Sequence, residues 1–306
     1  MVSAFLFVVP FVPYATFRAT ALETPALRAA AALQESSVAP LAPTCPSGAP
    51  VCPDAGGPSS PLSPRAVKEA SKNWEWKSLE TPGWKLLMSK NFVVRGDVSV
   101  DSLRTVAAHL EEFLRMLQSS IGGDASGLMF SARVFSDPRE FRRYAARLGA
   151  PNAESLYDPK SAEVVICLGH STGAAWLSKT LAHEFTHEYM DRVWKRTDPL
   201  WFAEGMAEYF ANFSVHGGRV VPGAVDREAT QLLNLDSPIP LTDFLKSSRD
   251  EMYGSTFRLR YAEGWSLVHY LFSRNDGTVD LLLRGGTIQK PEEIEKGWKE
   301  HLKAMK

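Results

Sequence analysis

In the stretch TLAHEFTHEYM, residues 180–190, two of the chain's seven histidines stand four positions apart, with a glutamate directly after the first. On a helix, positions i and i+4 project from one side with β-carbons about 5–6 Å apart. His183 and His187 can then both reach one ion at the roughly 2.0–2.1 Å of a nitrogen–zinc bond. Glu184 lies about 100° further round the helix, where it approaches the open side of such an ion instead of becoming a ligand. A carboxylate there can take a proton from an activated water and pass it to a leaving amine, which is the mechanical content of H-E-x-x-H.

Two histidines leave a catalytic zinc one protein ligand short. WFAEGMAEYF, residues 201–210, offers Glu204 and, one turn on, Glu208. If the intervening KRTDP turns the chain back, one of them reaches the ion and the other accepts a hydrogen bond from a ligand histidine. Glutamates at i and i+4 commonly mark a solvated face. Here the neighbours are Trp201, Phe202, Met206, Tyr209 and Phe210, and among such residues an unpaired carboxylate is costly. The first helix reads the same way: Trp176, His183, His187, Met190 and Trp194 share one face, while Leu177, Leu181, Ala182, Phe185, Tyr189 and Val193 fill a second arc. Buried imidazoles need partners, and a metal ion is one.

The elements that must position these residues begin well inside the chain. The first residues are apolar and end near Ala19-Thr20-Ala21, so residues 1–21 are expected to be a secretory signal and the protein to be exported. Residues 22–69 are rich in proline, alanine and serine, a composition that supplies no packed core and reads as a disordered linker. Within it lie Cys45 and Cys52; Cys167 falls in the apolar run EVVICLG and reads as a buried small hydrophobe. An α/β lead-in is expected over residues 70–160, with strands at NFVVRGDV and LMFSARVFSD, a helix at DSLRTVAAHLEEFLRMLQSSIGG ending at its glycines, and a helix at DPREFRRYAARLG with Asp137 as cap and Pro138 in its first turn. The region 161–306 then holds the strand EVVICLG, a long helix from about Ala174 to Arg196, a hairpin at SVHGGRVVPG and a series of further helices, LTDFLKSS among them. With 34 basic and 35 acidic residues, the net charge of -1 gives no global field for nucleic acid or anionic membranes. Outside the N-terminus no segment reaches the roughly 20 apolar residues of a membrane span.

HEFTH together with WFAEGMAEYF resembles the gluzincin branch of zinc metallopeptidases, the group of thermolysin and the aminopeptidase N-like enzymes. The resemblance implies that Glu204, before the glycine, is the third zinc ligand and that Glu208 supports a ligand histidine. YAEGWSLVHYL, residues 261–271, is similar to the Y-E-K-G helix of the aminopeptidase N-like enzymes, which implies that Tyr261 donates to the oxyanion. His269, eight residues on, is a weaker candidate for the same task. From about Trp74 onward the chain also resembles an uncharacterised bacterial peptidase MA-like family with the motif order HExxH, EGMAEYF, YAEGW. The fold so implied is α+β and zincin-like: a small mixed sheet, an HExxH helix and a mainly helical C-terminal part. The glycine-rich G-x-M-E-N segment of aminopeptidases is absent, CLGHSTG standing in its place, which favours endopeptidase over aminopeptidase action.

The expectation is a zinc metallopeptidase with one Zn2+ per chain on His183, His187 and Glu204, Glu184 as general base and acid, and a peptide or protein as substrate. In related folds an extended peptide pairs with the edge strand beside the active helix, and EVVICLG is the candidate strand. Two imidazoles and a carboxylate would also bind cobalt or manganese. Two rival readings are a non-catalytic protein that keeps the zinc for binding or scaffolding, and an α+β domain without metal.

Overall fold

Along FSARVF the side chains alternate. Phe130, Ala132 and Val134 are buried on one face, whereas Ser131 and Arg133 face the other and keep some exposure. This segment forms β5 (Phe130–Phe135), near the middle of a mixed sheet. The structure, a computed structural model, describes residues 7–9, 62–170, 173–216, 219–235 and 238–305. The other strands of the sheet are β1 (Phe7–Val9), β2 (Glu75–Ser78), β3 (Lys85–Met88), β4 (Phe92–Gly96), β6 (Ser155–Asp158) and β7 (Glu163–Cys167). Their order is β1-β6-β7-β5-β4-β3-β2, with β4, β5 and β7 parallel and every other pairing antiparallel. The architecture is mixed α/β.

Helices follow and interleave: α1 (Pro64–Ala70), α2 (Val100–Ile121), α3 (Pro138–Arg147), α4 (Ala174–Tyr189), α5 (Leu200–Ala211), α6 (Arg227–Leu235), α7 (Leu241–Phe244), α8 (Arg249–Tyr253), α9 (Phe257–Arg274), α10 (Thr278–Leu283) and α11 (Pro291–Ala304). A two-stranded hairpin, β8 (Phe213–His216) with β9 (Arg219–Pro222), stands apart from the sheet. Helices α2 and α4 cover one sheet face, where Phe185 of α4 sits 5.1 Å, ring to ring, from both Phe92 and Phe130. Burying each such phenylalanine contributes about 1.5–3 kcal/mol. On the opposite face Phe141 and Ala145 of α3 pack against Phe135, Val165 and Cys167. Beyond α3 the outer face turns polar. Arg95 and Arg133 are register partners on β4 and β5, and the buried Glu163 carboxylate bridges them, accepting from their Nε atoms at 2.7 and 2.9 Å.

Several local readings hold for identifiable reasons. Asp137 caps α3 by accepting from the Arg139 amide, with Pro138 in the first turn. Helix α2 ends at Gly122, whose φ of 63° suits a residue without a β-carbon. Others need correction. EVVICLG is not an edge strand: β7 is flanked by β5 and β6, and all five of its residues are buried. The strand beside α4 toward the sheet edge is β6, SLYD, and the three-residue β1 pairs antiparallel along it. The long helix expected to run to Arg196 is α-helical only to Tyr189. It continues as a π-helical turn, Met190–Trp194, and ends at Lys195 in the left-handed region. LTDFLKSS yields a single turn, α7. The first helix, α1, starts at Pro64, ahead of residue 70. Of the expected signal only Phe7–Val9 is described, and Cys45, Cys52 and the linker up to residue 61 lie outside the described residues. No helix among those described is long and apolar enough to cross a membrane.

Candidate metal centre

Helix α4 is buried from Leu181 to its end at Tyr189, so neither face of HEFTH is free for solvent. His183, His187 and Glu184 are 4, 1 and 0 % exposed. Helix α5 runs against α4 and brings Glu204, 0 % exposed, to the same place. At the next residue α5 also crosses α9. Gly205 meets Gly264 of α9 so closely that a β-carbon on Gly205 would stand 2.6 Å from the Gly264 carbonyl oxygen. The two Glu-Gly dipeptides, Glu204-Gly205 and Glu263-Gly264, therefore mark a helix crossing as well as chemistry. Glu263 itself turns away, accepting from the Ile239 amide at 2.9 Å and pairing with Arg260.

The three expected ligands converge. The Nε2 atoms of His183 and His187 are 3.1 Å apart, and Glu204 Oε2 is 3.5 Å from each. Donors about 2.0–2.1 Å from a common ion at tetrahedral angles stand roughly 3.3–3.4 Å from one another, so the trio fits a divalent ion as it is. Glu204 Oε2 is buried and accepts no hydrogen bond of ordinary geometry. Two imidazole nitrogens and a carboxylate oxygen turned toward one point could hold a metal ion. The three groups also act on one another's charge. Burial lowers the His183 imidazole, but Glu204 and Glu208 outweigh it and push its pKa to about 10. Burial keeps His187 below its usual value. Burial would raise the Glu204 carboxyl, yet His187 and His183 hold it well below the usual carboxylate range.

Around the trio, Glu208 Oε1 lies 3.1 Å from His183 Nδ1, the position of a group that fixes the tautomer of a ligand histidine. Behind Glu208 is Lys179, one turn before His183. Its ammonium reaches Asp226 and Asn212, each at 3.3 Å, and the charges of Glu208 and Asp226 raise its pKa against the lowering effect of burial. Glu184 does not join the trio. Its Oε1 accepts from the Ser155 hydroxyl of β6 at 2.6 Å and its Oε2 is buried without a partner. Burial raises its pKa to about 7, with His183 and Ser155 opposing. Two residues along β6, Tyr157 donates to Asp191 in the π-helical turn at 2.6 Å, so β6 is tied to α4 and its extension at two points. Glu188, next after His187, binds the Ser131 amide and Arg192. It is structural, with burial pushing its pKa to about 8.

Tyr261 enters from α9 with its ring stacked 6.3 Å from that of His183, and its hydroxyl is buried without an ordinary hydrogen bond. His269 does not share this surrounding: Nδ1 faces His301 at 2.9 Å and Nε2 faces the Gly223 carbonyl at 3.2 Å. Sequence reasoning missed Ser155, Lys179 and Tyr253. Tyr253 ends α8 and donates to Glu204 Oε1 at 2.6 Å.

The profile of a family described as "Protein of unknown function (DUF1570)" matches residues 177–291, a span that includes both histidines, Glu204, Tyr253 and Tyr261. Comparison with curated proteins and with solved structures returns no match.

Proposed function

We propose that the protein is a zinc-dependent peptidase of the gluzincin type with a zincin-like fold, acting within peptide chains in preference to their ends. The observation that carries the reading is the donor triangle of His183, His187 and Glu204 beside a carboxylate, Glu184, that is not part of it. Those three residues would hold the ion. When bound, zinc supplies Lewis acidity to a carbonyl oxygen and lowers the pKa of a water. Glu184, raised to about 7, is suited to accept a proton from the attacking water near neutral pH and to deliver it to the departing amine. The Ser155 hydroxyl keeps one oxygen of Glu184 fixed and leaves the other for that exchange. Tyr261, whose hydroxyl has no competing acceptor of ordinary geometry, is the donor for the carbonyl oxygen as it gains charge. Glu208 orients His183. An extended substrate would pair along β6 by taking the place that Phe7–Val9 holds there, in the same antiparallel sense.

One observation favours a second reading, a zinc-keeping binding or scaffolding protein: the trio and Glu184 are at most 4 % exposed, as in closed structural sites. The purified chain and a Glu184→Gln variant distinguish the two. We expect about one zinc per chain in both by elemental analysis, and cleavage of an unfolded protein substrate by the parent alone. Equal cleavage by both overturns the role of Glu184, and zinc without cleavage in either supports the second reading. Absence of zinc after reconstitution, with the same result in a His183→Ala, His187→Ala double variant, overturns both.

A further inference from the structure

Glu204 has two carboxylate oxygens, and only one of them faces the imidazoles. Oε2 lies 3.5 Å from each Nε2, while Oε1 accepts the Tyr253 hydroxyl at 2.6 Å. Two phenols stand near this carboxylate, their rings 6.5 Å apart at 74°, but their hydroxyls differ: Tyr253 donates to Oε1 at 2.6 Å, whereas Tyr261 interacts with Glu204 without reaching ordinary hydrogen-bond geometry. Tyr253 is itself held. It ends α8, whose start carries a reciprocal cap between Ser248 and Glu251, and the Arg249 guanidinium lies 4.8 Å over its ring. A short, capped helix thus presents one hydroxyl to one oxygen.

A carboxylate on a flexible stem can rotate and offer a metal one oxygen or two. Donation to Oε1 removes that freedom and leaves Oε2 as the sole oxygen toward the histidines. We propose that Tyr253 is a positioning residue of the metal centre, locking Glu204 as a one-oxygen ligand, and that the two tyrosines divide their work, Tyr253 serving the ligand and Tyr261, the more loosely held, serving substrate. The inference rests on the metal-centre reading above and adds α8 to the apparatus that holds the ion. Groups that hold ligands in place commonly account for a 10–100-fold difference in metal affinity.

The test uses the full chain, stripped of metal, with Tyr253→Phe and Tyr261→Phe, each removing one hydroxyl from the same cluster. Zinc affinity is measured by competition with a chelator, and cobalt is added to record its visible absorption. For Tyr253→Phe we expect a 10–100-fold weaker zinc affinity and weaker cobalt bands, as the released carboxylate adds its second oxygen and raises the coordination number. For Tyr261→Phe we expect affinity within about threefold of the parent and an unchanged spectrum, since it touches no ligand oxygen at ordinary hydrogen-bond geometry. The metal-induced rise in melting temperature, read within each variant, separates affinity from any change in fold stability. A parent that binds zinc together with a Tyr253→Phe variant of equal affinity and spectrum overturns this inference alone. Equal losses in the two variants overturn the division of labour. A parent that takes up neither metal overturns this inference and the reading beneath it.

Discussion

Substituting alanine for Gly205 probes the crossing of α5 and α9 beside the site. The added β-carbon would lie 2.6 Å from the Gly264 carbonyl oxygen and 2.8 Å from both the Gly264 carbonyl carbon and a Val268 methyl. To restore ordinary contact the helices must separate by about 0.8 Å, and the atoms in the way are largely backbone. Overpacking of this kind costs about 1–3 kcal/mol, offset by at most about 1 kcal/mol of helix propensity gained over glycine. The net loss of roughly 0–2 kcal/mol lowers the melting temperature by up to about 8 °C in a domain of this size. Function should suffer more than stability. Glu204 precedes Gly205 and Tyr261 lies one turn before Gly264, so the separation displaces a ligand from the histidines or a phenol from the site. A displacement near 1 Å can lower turnover about 100-fold. Gly264→Ala should be milder, because its nearest contact would be 3.2 Å, to the Trp201 carbonyl oxygen. Thermal unfolding by circular dichroism and zinc titration of both variants decide the matter. The reasoning fails if Gly205→Ala melts at or above the parent with unchanged zinc affinity, or if Gly264→Ala proves the more damaging.

Two further predictions concern parts away from the metal centre. Glu163→Gln removes the one carboxylate between Arg95 and Arg133. Breaking a buried pair costs about 3–5 kcal/mol, and because both arginines reach solvent we expect about 3 kcal/mol in urea unfolding; a loss below about 0.5 kcal/mol contradicts the bridging role. The pair formed by His269 of α9 and His301 of α11, capped by the Gly223 carbonyl, predicts acid sensitivity. Burial, with the neighbouring His301, lowers His269 to about 4, against about 6.5 unfolded. The unfolded state therefore binds the proton first, and stability that is full above about pH 6.5 declines as pH falls toward 4, by on the order of 2 kcal/mol. His269→Gln should flatten that decline, and an identical pH slope in the variant would show that the titrating group is elsewhere.

How much of this was legible in the sequence depended on distance along the chain. HEFTH and EGMAEYF are local patterns: helical geometry placed His183 and His187 together and left Glu204 and Glu208 open as the third donor, and the resemblance singled out Glu204. The glycines went unread, although a mid-helix glycine costs about 1 kcal/mol relative to alanine, and two Glu-Gly pairs inside buried helices are a signal of close crossing. EVVICLG was misplaced although its continuous apolar run is what a strand buried on both faces requires. The true neighbour of α4 is the four-residue SLYD, too short to stand out by periodicity. Ser155 and Tyr253 gave no signal, because each meets its partner across 29 and 49 residues and belongs to an element with no chemical pattern of its own.

Helix α4, its π-helical turn and α5 form one contiguous cassette, residues 174–211, and all three donor residues lie in it. The groups that meet the site's side chains arrive from both directions: Ser155 from upstream, at Glu184, and Tyr253 and Tyr261 from downstream, at Glu204 and His183. Loop-closure entropy grows only slowly with length, by about 0.6 kcal/mol per doubling, so the connections to these outer groups tolerate insertion far better than the turn inside the cassette. The residues proposed to hold the ion and to move the proton thus lie in one short stretch of chain, and the hydroxyl groups that fix their side chains reach in from outside it.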